Sequence, residues 1–469
     1  MDGYGPALDV ARGFADRWLA SLPTRPVGVP ADPEALRERL GDLPDDGSDA
    51  VGVLEDLTAA LEPGLVASGG PRYFGFVTGG SLPVALAADW VVSATDQDAA
   101  VAVMSPGAAV VEEVAGRWAL ELLGLPRDAA VGFATGAQTA NIACLAAARH
   151  ALLAAAGWDV EAEGLAGAPA VTVLLGAGAH ATVVQALKLL GFGSRHAVRV
   201  PVDGQGRMRP AALGAALEAV PGPVLVCAQA GQVNTGACDP LDGIAAVLAG
   251  RDDTWLHVDG AFGLWAAAST TRRHLVAGAD RADSWAVDGH KWLNVPYDSA
   301  LAVVRDRAAM VRALSVSSPY LPLGELDPSA RTLENSRRPR GVPVYAALRA
   351  LGRAGVADLV DRCCDLAARA ADRFAAGGVE VVNDVVLNQV LLRVPGVDVA
   401  DLARAVAVDG TCWVGTTVWE EVPALRFSVS NWSTSAEDVD RSVDRILALR
   451  DQLVGQPVSA RGAAGPASR

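Results

Sequence analysis

The feature that most constrains the fold is an alternation of short apolar runs with helix-like stretches between about residues 130 and 306. Runs such as "VTVLLG", "PVLVCAQA" and "TWLHVDGA" alternate with segments such as "ATVVQALKLLG", in which apolar residues recur every three or four positions. The first pattern is typical of buried strands and the second of helices that cover a sheet. The sequence therefore predicts an α/β fold with a mostly parallel central sheet, which binds ligands at the carboxyl ends of its strands.

The segments that flank this alternation predict further domains. Residues 1–80 contain helices and loops but too few apolar positions for a core of their own, which is typical of an arm. We expect a large α/β domain over residues 81–340 and a smaller C-terminal α+β domain over residues 341–455, which combines a long amphipathic helical region with alternating strands. Residues 456–469 have the small, polar, Pro- and Gly-containing composition of a disordered tail.

Charge and composition argue against several classes of partner. The net charge is −15, whereas nucleic-acid binders present clustered Lys and Arg, so we expect no nucleic-acid partner. No uncharged apolar run reaches the roughly 20 residues of a membrane span, and the acidic N-terminus does not resemble a signal peptide, so the cytoplasm is the predicted location. The six cysteines show no metal-ligand spacing and are predicted to be buried apolar residues.

Lysine is rare in this chain, which holds only Lys188 and Lys291 among its 39 basic residues. Arginine therefore replaces lysine wherever any cation suffices. A lysine amine can form an imine with an aldehyde, whereas a guanidinium stays protonated and cannot. Lys188, within "ALKLLGFG", is predicted to be a surface cation. Taken alone, Lys291 could serve either structure or chemistry.

The neighbours of Lys291 in the predicted fold favour chemistry. His290 precedes it directly, and "TWLHVDGAFG" places Asp259 at the carboxyl end of a predicted strand. The segment "GFATGAQTANIACLAAARH" is a Gly- and Thr-containing loop that enters a helix, whose first N–H groups could bind a phosphate. His180 begins the helix that follows "VTVLLG". Each feature by itself also has a structural explanation, such as a helix cap or an ordinary strand end.

Together these features resemble the group II pyridoxal-phosphate-dependent amino-acid decarboxylases, which include the aromatic-amino-acid, glutamate and histidine enzymes. The resemblance extends from "PRYFGFVTGG" near residue 71 through "GAQTAN", "GAGAH", "HVDGAFG" and "DGHKWLN" to "LRFSVSNW" near residue 432. It implies the fold type I, aspartate-aminotransferase-type architecture and a pyridoxal 5'-phosphate cofactor. It also implies a homodimer that decarboxylates an L-amino acid to the amine and carbon dioxide.

The resemblance also implies roles for individual residues. Lys291 would hold the cofactor covalently and later move protons. His290 would contact the cofactor phosphate, and the backbone of Ala137 and Gln138 would complete its cradle. Asp259 would pair with the pyridinium nitrogen and keep it protonated, so that the ring accepts electrons.

Further positions are expected around the cofactor and the substrate. His180 would stack on the cofactor ring, and Asn234 and Asp288 would make additional contacts near it. Arg426, in the predicted strand "ALRFSVS", could bind the substrate carboxylate or serve in a structural ion pair. The expected substrate-binding set is Phe76, Thr78 and Arg426, of which the first two would come from across the dimer interface.

One departure from the family pattern leaves the reaction outcome open. Decarboxylases of this family commonly carry a tyrosine on a mobile loop that protonates the carbanion, but "LPLGELDPSARTLENSRRPRG" contains none, and Tyr320 and Tyr345 only flank it. Decarboxylation is the favoured reaction. The alternatives are oxidative deamination coupled to decarboxylation, aldol-type cleavage, transamination, or a non-catalytic scaffold. The joint presence of Lys291, Asp259 and the two histidines argues against the last.

Overall fold

The computed structural model describes residues 3–29, 31–316, 324 and 326–454. The predicted tail at 456–469 and Tyr320 lie outside these residues. The chain divides into two compact units. Unit 1 gathers the described parts of 1–78, 368–382 and 390–469, and unit 2 contains 79–367 and 383–389. The domain limits expected from the sequence stay a prediction.

Fourteen α-helices occur among the described residues, and the longest of them, α12, kinks at Gly352. They are α1 Tyr4–Ser21, α2 Pro33–Leu40, α3 Ala50–Leu61, α4 Pro83–Thr95, α5 Pro106–Leu123, α6 Ala137–Ala155, α7 Val160–Glu163, α8 Ala181–Leu189, α9 Pro210–Glu218, α10 Leu241–Leu248, α11 Arg307–Leu314, α12 Gly341–Ala376, α13 Val399–Asp409 and α14 Ala436–Val454.

The described strands form two sheets, one of seven strands in unit 2 and one of five in unit 1. They are β1 Tyr73–Phe74, β2 Ala130–Ala134, β3 Thr172–Gly176, β4 Val198–Val200, β5 Val224–Gln229, β6 Thr254–Asp259, β7 Ser284–Asp288, β8 Ala300–Val304, β9 Glu380–Val381, β10 Gln389–Arg393, β11 Trp413–Trp419 and β12 Val422–Ser428.

The sheet of unit 2 has the order β2-β8-β7-β6-β5-β3-β4, and the fold class expected from the sequence is confirmed. Strands β4, β3, β5, β6 and β7 pair in parallel. β8 is antiparallel to both of its neighbours, which the βα alternation did not predict. The reason is that only residues 289–299 join β7 to β8, and they form no helix to carry the chain back across the sheet.

The strands of unit 2 have continuous apolar sequences because they lie in its core. Every residue of β5, β7 and β8 is buried, as is typical of strands covered on both faces. Helix α6 packs on this sheet through small side chains, among them Ala140, Ala143 and Ala147, which allow a close approach. The start of α6 is thereby held at the carboxyl end of β2.

Unit 1 has its own sheet, in the order β1-β11-β12-β10-β9. Phe74, Phe374 and Phe427 are fully buried within this unit, and the ring of Phe427 contacts the other two. The buried Arg72 donates hydrogen bonds to the carbonyl oxygens of Pro23 and Arg25, which attaches the segment after α1 to the unit. No helix of the described residues is long and apolar enough to cross a membrane.

Candidate active site

The connection between β7 and β8 carries His290 and Lys291. Asp288 is the last residue of β7, is fully buried, and lies 3.0 Å through Oδ2 from Nζ of Lys291. Its other oxygen, Oδ1, lies 3.4 Å from Nε2 of His290. The buried indole of Trp265 donates to the Asp288 carbonyl at 2.9 Å and fixes the strand end. Asp288 therefore connects the amine and the imidazole.

The His290 ring is held by its surroundings in one orientation. The backbone N–H of Ser299 donates to His290 Nδ1 at 3.1 Å, and the ring of Tyr297 stacks on the imidazole with centroids 4.3 Å apart. Burial lowers the pKa of His290, and the Lys291 charge acts in the same direction while the Asp288 charge opposes both. Since Nδ1 accepts a hydrogen bond, the neutral ring carries its proton on Nε2, the nitrogen nearest to Asp288.

Asp259 ends β6 and is buried. Its Oδ1 accepts the Ala261 N–H at 3.2 Å. Burial raises the pKa of Asp259, because a carboxylate loses its hydration there, whereas the Lys291 and His180 charges lower it. A carboxylate in this state favours a cationic or N–H partner. A protonated ring nitrogen would supply one.

His180 precedes α8 and caps it. The N–H of Thr182 donates to His180 Nδ1 at 3.3 Å, and the Thr182 hydroxyl lies 2.8 Å from the same nitrogen. An acceptor cap of this kind satisfies a first-turn N–H of the helix. It also orients the imidazole ring.

The turn between β2 and α6 supplies backbone N–H groups. Gly136 precedes the helix and has no side chain to cap it, so the first turn is open to an acceptor from elsewhere. The Ala137 N–H donates to Asp288 Oδ1 at 2.6 Å. The turn is thus tied to the loop that carries Lys291. The N-terminal end of a long helix favours an anion here.

These residues surround a single cavity of about 230 Å³ in unit 2. Among the positions expected from the sequence, it is lined by Ala137, Gln138, His180, Asp259, Asp288, His290 and Lys291. Asn234 is not among the lining residues, although its neighbour Val233 is. The Asn234 N–H donates to Gln232 Oε1 at 2.6 Å. Gly231 also lines the cavity, and its φ of +95° is accessible mainly to glycine.

The remaining expected residues belong to unit 1. Arg426 lies in β12 opposite Gly415 and is buried, and burial lowers its pKa. Phe76 is 62% exposed, and its ring lies 5.3 Å from that of Trp413. Thr78 is buried, and its N–H donates to the Gly75 carbonyl at 2.9 Å.

Sequence reasoning missed several residues that shape the cavity or orient its side chains. Thr182 holds His180, while Ser299 and Tyr297 hold His290. Gln229 and Phe262 line the wall. One signal was available, because Thr182 follows His180 at the spacing of a helix cap. The two partners of His290 lie in a loop whose path no periodic pattern indicates.

The donor set fits pyridoxal 5'-phosphate. The cavity combines a primary amine, a buried carboxylate, two imidazoles and a helix N-terminus whose N-cap residue is a glycine without a side chain. An aldehyde requires the amine, a ring N–H requires the buried carboxylate, and a phosphate requires the helix N-terminus. Among the described residues, no group of His, Cys, Asp and Glu side chains suited to a metal ion was found.

Comparison with known proteins gives a consistent result. The family model described as "Pyridoxal-dependent decarboxylase conserved domain" matches residues 33–394. An aromatic-L-amino-acid decarboxylase of Bacillus atrophaeus is 28% identical over 454 residues, which is 92% of this chain and 92% of the relative. An L-2,4-diaminobutyrate decarboxylase of Rhizobium meliloti is 29% identical and covers 88% of this chain and 84% of the relative.

A solved structure shows the same fold. The Oryza sativa protein TDC, crystallised with pyridoxal phosphate and tryptamine, superimposes with a TM-score of 0.88 at 24% sequence identity. The match covers 96% of this chain and 98% of the other.

Proposed function

The chain belongs to the pyridoxal-dependent decarboxylase family, and from that premise we propose that it converts one L-amino acid to the corresponding amine and carbon dioxide in the cavity around Lys291. Its cofactor is pyridoxal 5'-phosphate, and it is a carboxy-lyase acting on amino acids. The observation that carries the assignment of the site is the placement of Lys291, Asp259 and His180 around one cavity.

Lys291 and Asp288 act together in this proposal. When bound, the cofactor supplies an aldehyde for attachment and a ring that accepts electrons from the bond being broken. Lys291 would hold the cofactor through its amine, which needs a neighbouring group to hold or return its proton. Asp288 Oδ2, 3.0 Å from Nζ, is placed to take up that proton and return it. The same contact orients Nζ toward one side of the cavity.

Asp259 has the complementary task of keeping a proton on the cofactor ring nitrogen. Its carboxylate is buried, so the charge pairing takes place with little screening by solvent. The hydrogen bond from Ala261 fixes the position of the carboxylate. His180 orients the ring plane from the edge of α8.

Gln138 and His290 would hold the cofactor phosphate. His290 presents the N–H of Nε2, because its Nδ1 is occupied by Ser299. The start of α6 adds a positive potential to which the phosphate is attracted. Asp288 also lines this cavity, and its negative charge would repel a phosphate. Its hydrogen bond from Ala137 and its ion pair with Lys291 reduce that repulsion.

The substrate itself is open, because the similar relatives act on aromatic and on diamino acids according to their names. We propose that Arg426 binds the substrate carboxylate, and that Phe76 and Thr78 line the pocket across a homodimer interface. Asn234 stays a proposed contact near the cofactor, and the cytoplasm the proposed location. Assay of the twenty amino acids and of L-2,4-diaminobutyrate for release of carbon dioxide and amine tests the proposal. If none of them gives both products, the proposal is wrong.

A second outcome is favoured by one feature of the sequence, the lack of tyrosine between residues 321 and 344. Of the flanking tyrosines, Tyr345 is stacked on Trp118 with centroids 4.9 Å apart. Without a tyrosine there, proton delivery after loss of carbon dioxide would be slower, and oxygen would have time to react. Quantifying aldehyde, ammonia and peroxide beside the amine distinguishes the outcomes. Amine in stoichiometric yield with carbon dioxide excludes the oxidative reaction.

A further inference from the structure

A second cavity in unit 2, of about 190 Å³, is lined by five arginines and three carboxylates. It lies between α5, the start of β2 and the short 3₁₀ helix Pro328–Arg331. The charged residues are Arg117, Arg127, Arg307, Arg331 and Arg337 with Glu112, Glu113 and Asp128. None of its lining residues also lines the cavity around Lys291.

Arg331 and Arg337 are the two buried arginines of this set, and they differ in their partners. The Arg331 side chain lines the cavity but is only 9% exposed, and its Nε is buried without a hydrogen-bond partner among the described residues. Burial lowers the pKa of the Arg331 guanidinium, and the Arg307 and Arg337 charges act in the same direction, whereas the Glu112 and Glu113 charges oppose them only in part. A cation in this position costs free energy unless an anion accompanies it.

The buried carboxylate nearby does not supply that anion. Glu112 Oε1 accepts hydrogen bonds from Arg337 at 2.9 Å and from the Gly341 N–H at 3.1 Å. Its Oε2 accepts a second bond from Arg337 at 2.5 Å. The pair is bidentate, so Glu112 is neutralised by Arg337. The other two carboxylates, Glu113 and Asp128, are exposed to solvent at the rim.

We propose that this cavity is a binding site for a small oxyanion, a phosphate or the carboxylate of a small metabolite, with Arg331 at its floor and Arg117 at its entrance. The guanidinium of Arg331 would donate to the anion, and the exposed arginines would attract it electrostatically. The volume suits an anion of a few heavy atoms and its water rather than a nucleotide. The site is separate from the catalytic cavity, so both can be filled at once.

The position of Arg331 connects this site to the cofactor-binding strand. The Arg331 carbonyl packs against Gly132 of β2 so closely that a Cβ at that glycine would lie 1.9 Å from the oxygen. Gly132 is followed by Phe133 and Ala134 and then by the turn into α6.

Thermal unfolding of the cofactor-loaded enzyme tests the proposal, because the loaded cofactor fills the phosphate cradle of the catalytic cavity. Inorganic phosphate, sodium acetate and sodium chloride are compared at equal ionic strength. We expect phosphate or acetate to raise the melting temperature of the wild type in a saturable way, with chloride as the reference. Whichever of phosphate and acetate raises the melting temperature at the lower concentration is the preferred oxyanion.

Two variants and a control assign the effect. Arg331→Met should abolish the anion-dependent shift and leave or raise the melting temperature without anion, because an unpaired buried charge is removed. Arg117→Met, at the exposed entrance, should weaken the apparent affinity several-fold without affecting folding. Arg199→Met, at an exposed arginine outside the cavity, should behave as wild type. Absence of a saturable shift in the wild type, or its survival in Arg331→Met, overturns the proposal.

Discussion

At the scale of single residues, Lys291 and Lys188 form a natural pair for comparison, because they are the only lysines of the chain. We expect Lys291→Arg to lose the visible absorbance of covalently bound cofactor, since a guanidinium keeps the charge but cannot bond to the aldehyde. Lys188, exposed at the end of α8, should tolerate the same replacement. Absorbance spectra and borohydride reduction of the two purified variants give the measurement. Reducible cofactor retained in Lys291→Arg but lost in Lys188→Arg would transfer the attachment site to Lys188.

Asp259 is expected to control turnover through its charge. Asp259→Asn keeps the shape of the side chain but cannot hold the ring nitrogen proton, and we expect at least a ~100-fold loss of kcat, corresponding to about 3 kcal/mol in the barrier. The exposed Asp252→Asn is the matched control. Steady-state rates of both variants, measured at saturating cofactor, test this prediction. Wild-type turnover in Asp259→Asn would assign the carboxylate a structural role instead.

Although Asp259→Asn should lower turnover, it should raise the stability of the cofactor-free protein relative to the wild type at neutral pH. The pKa of Asp259 is raised in the fold, mainly by burial, so the folded state holds a proton more tightly than the unfolded chain does. Wild-type stability relative to Asp259→Asn should therefore fall as pH rises above about 4, the pKa of the unfolded chain. Urea unfolding of both apoproteins between pH 4 and pH 8 measures this. A difference that is constant with pH contradicts it.

At the scale of elements, strands and helices of unit 2 were predictable because their periodicity depends only on burial. The direction of β8 was not, because an apolar run looks the same in a parallel and an antiparallel pairing. Asp259 and His180 could be placed as site candidates, since each stands at the boundary of an element. The hydrogen bonds that orient His290 come from a loop, whose path depends on tertiary packing.

The β7–β8 loop is held close to the segment before α4, and this contact gives a prediction about the element. A Cβ on Gly79 would lie 2.0 Å from the Lys291 carbonyl oxygen, so Gly79→Ala must displace the loop. We expect a loss of turnover together with about 1–3 kcal/mol of stability. Gly107→Ala, in the first turn of α5, is the control, because nothing lies within 4 Å of its added Cβ. Equal turnover in the two variants would mean that the loop position does not matter for catalysis.

At the scale of the whole molecule, the helices α1 and α2 are poorly covered by the rest of the described chain. None of the residues of α1 and α2, all of which the structure describes, is buried. Tyr4, Leu8 and Leu19 of α1 are 86%, 60% and 41% exposed. Their spacing places them on one face of the helix. An exposed apolar face of this kind is typical of a surface that meets a partner.

We therefore expect a homodimer in which this face is covered by a second copy. Leu8→Arg places a charge in the centre of the face and should shift the enzyme toward monomer, because burying an unpaired charge is costly. Asp9→Asn, which changes the net charge by the same amount beside it, should leave the dimer intact. Light scattering of the three proteins at micromolar concentration gives their masses, and activity at the same concentrations shows whether the dimer is required. If a monomeric wild type is fully active, the homodimer and the placement of Phe76 and Thr78 across its interface are both wrong. If Leu8→Arg remains a dimer, the interface lies on another surface and the apolar face of α1 has another partner.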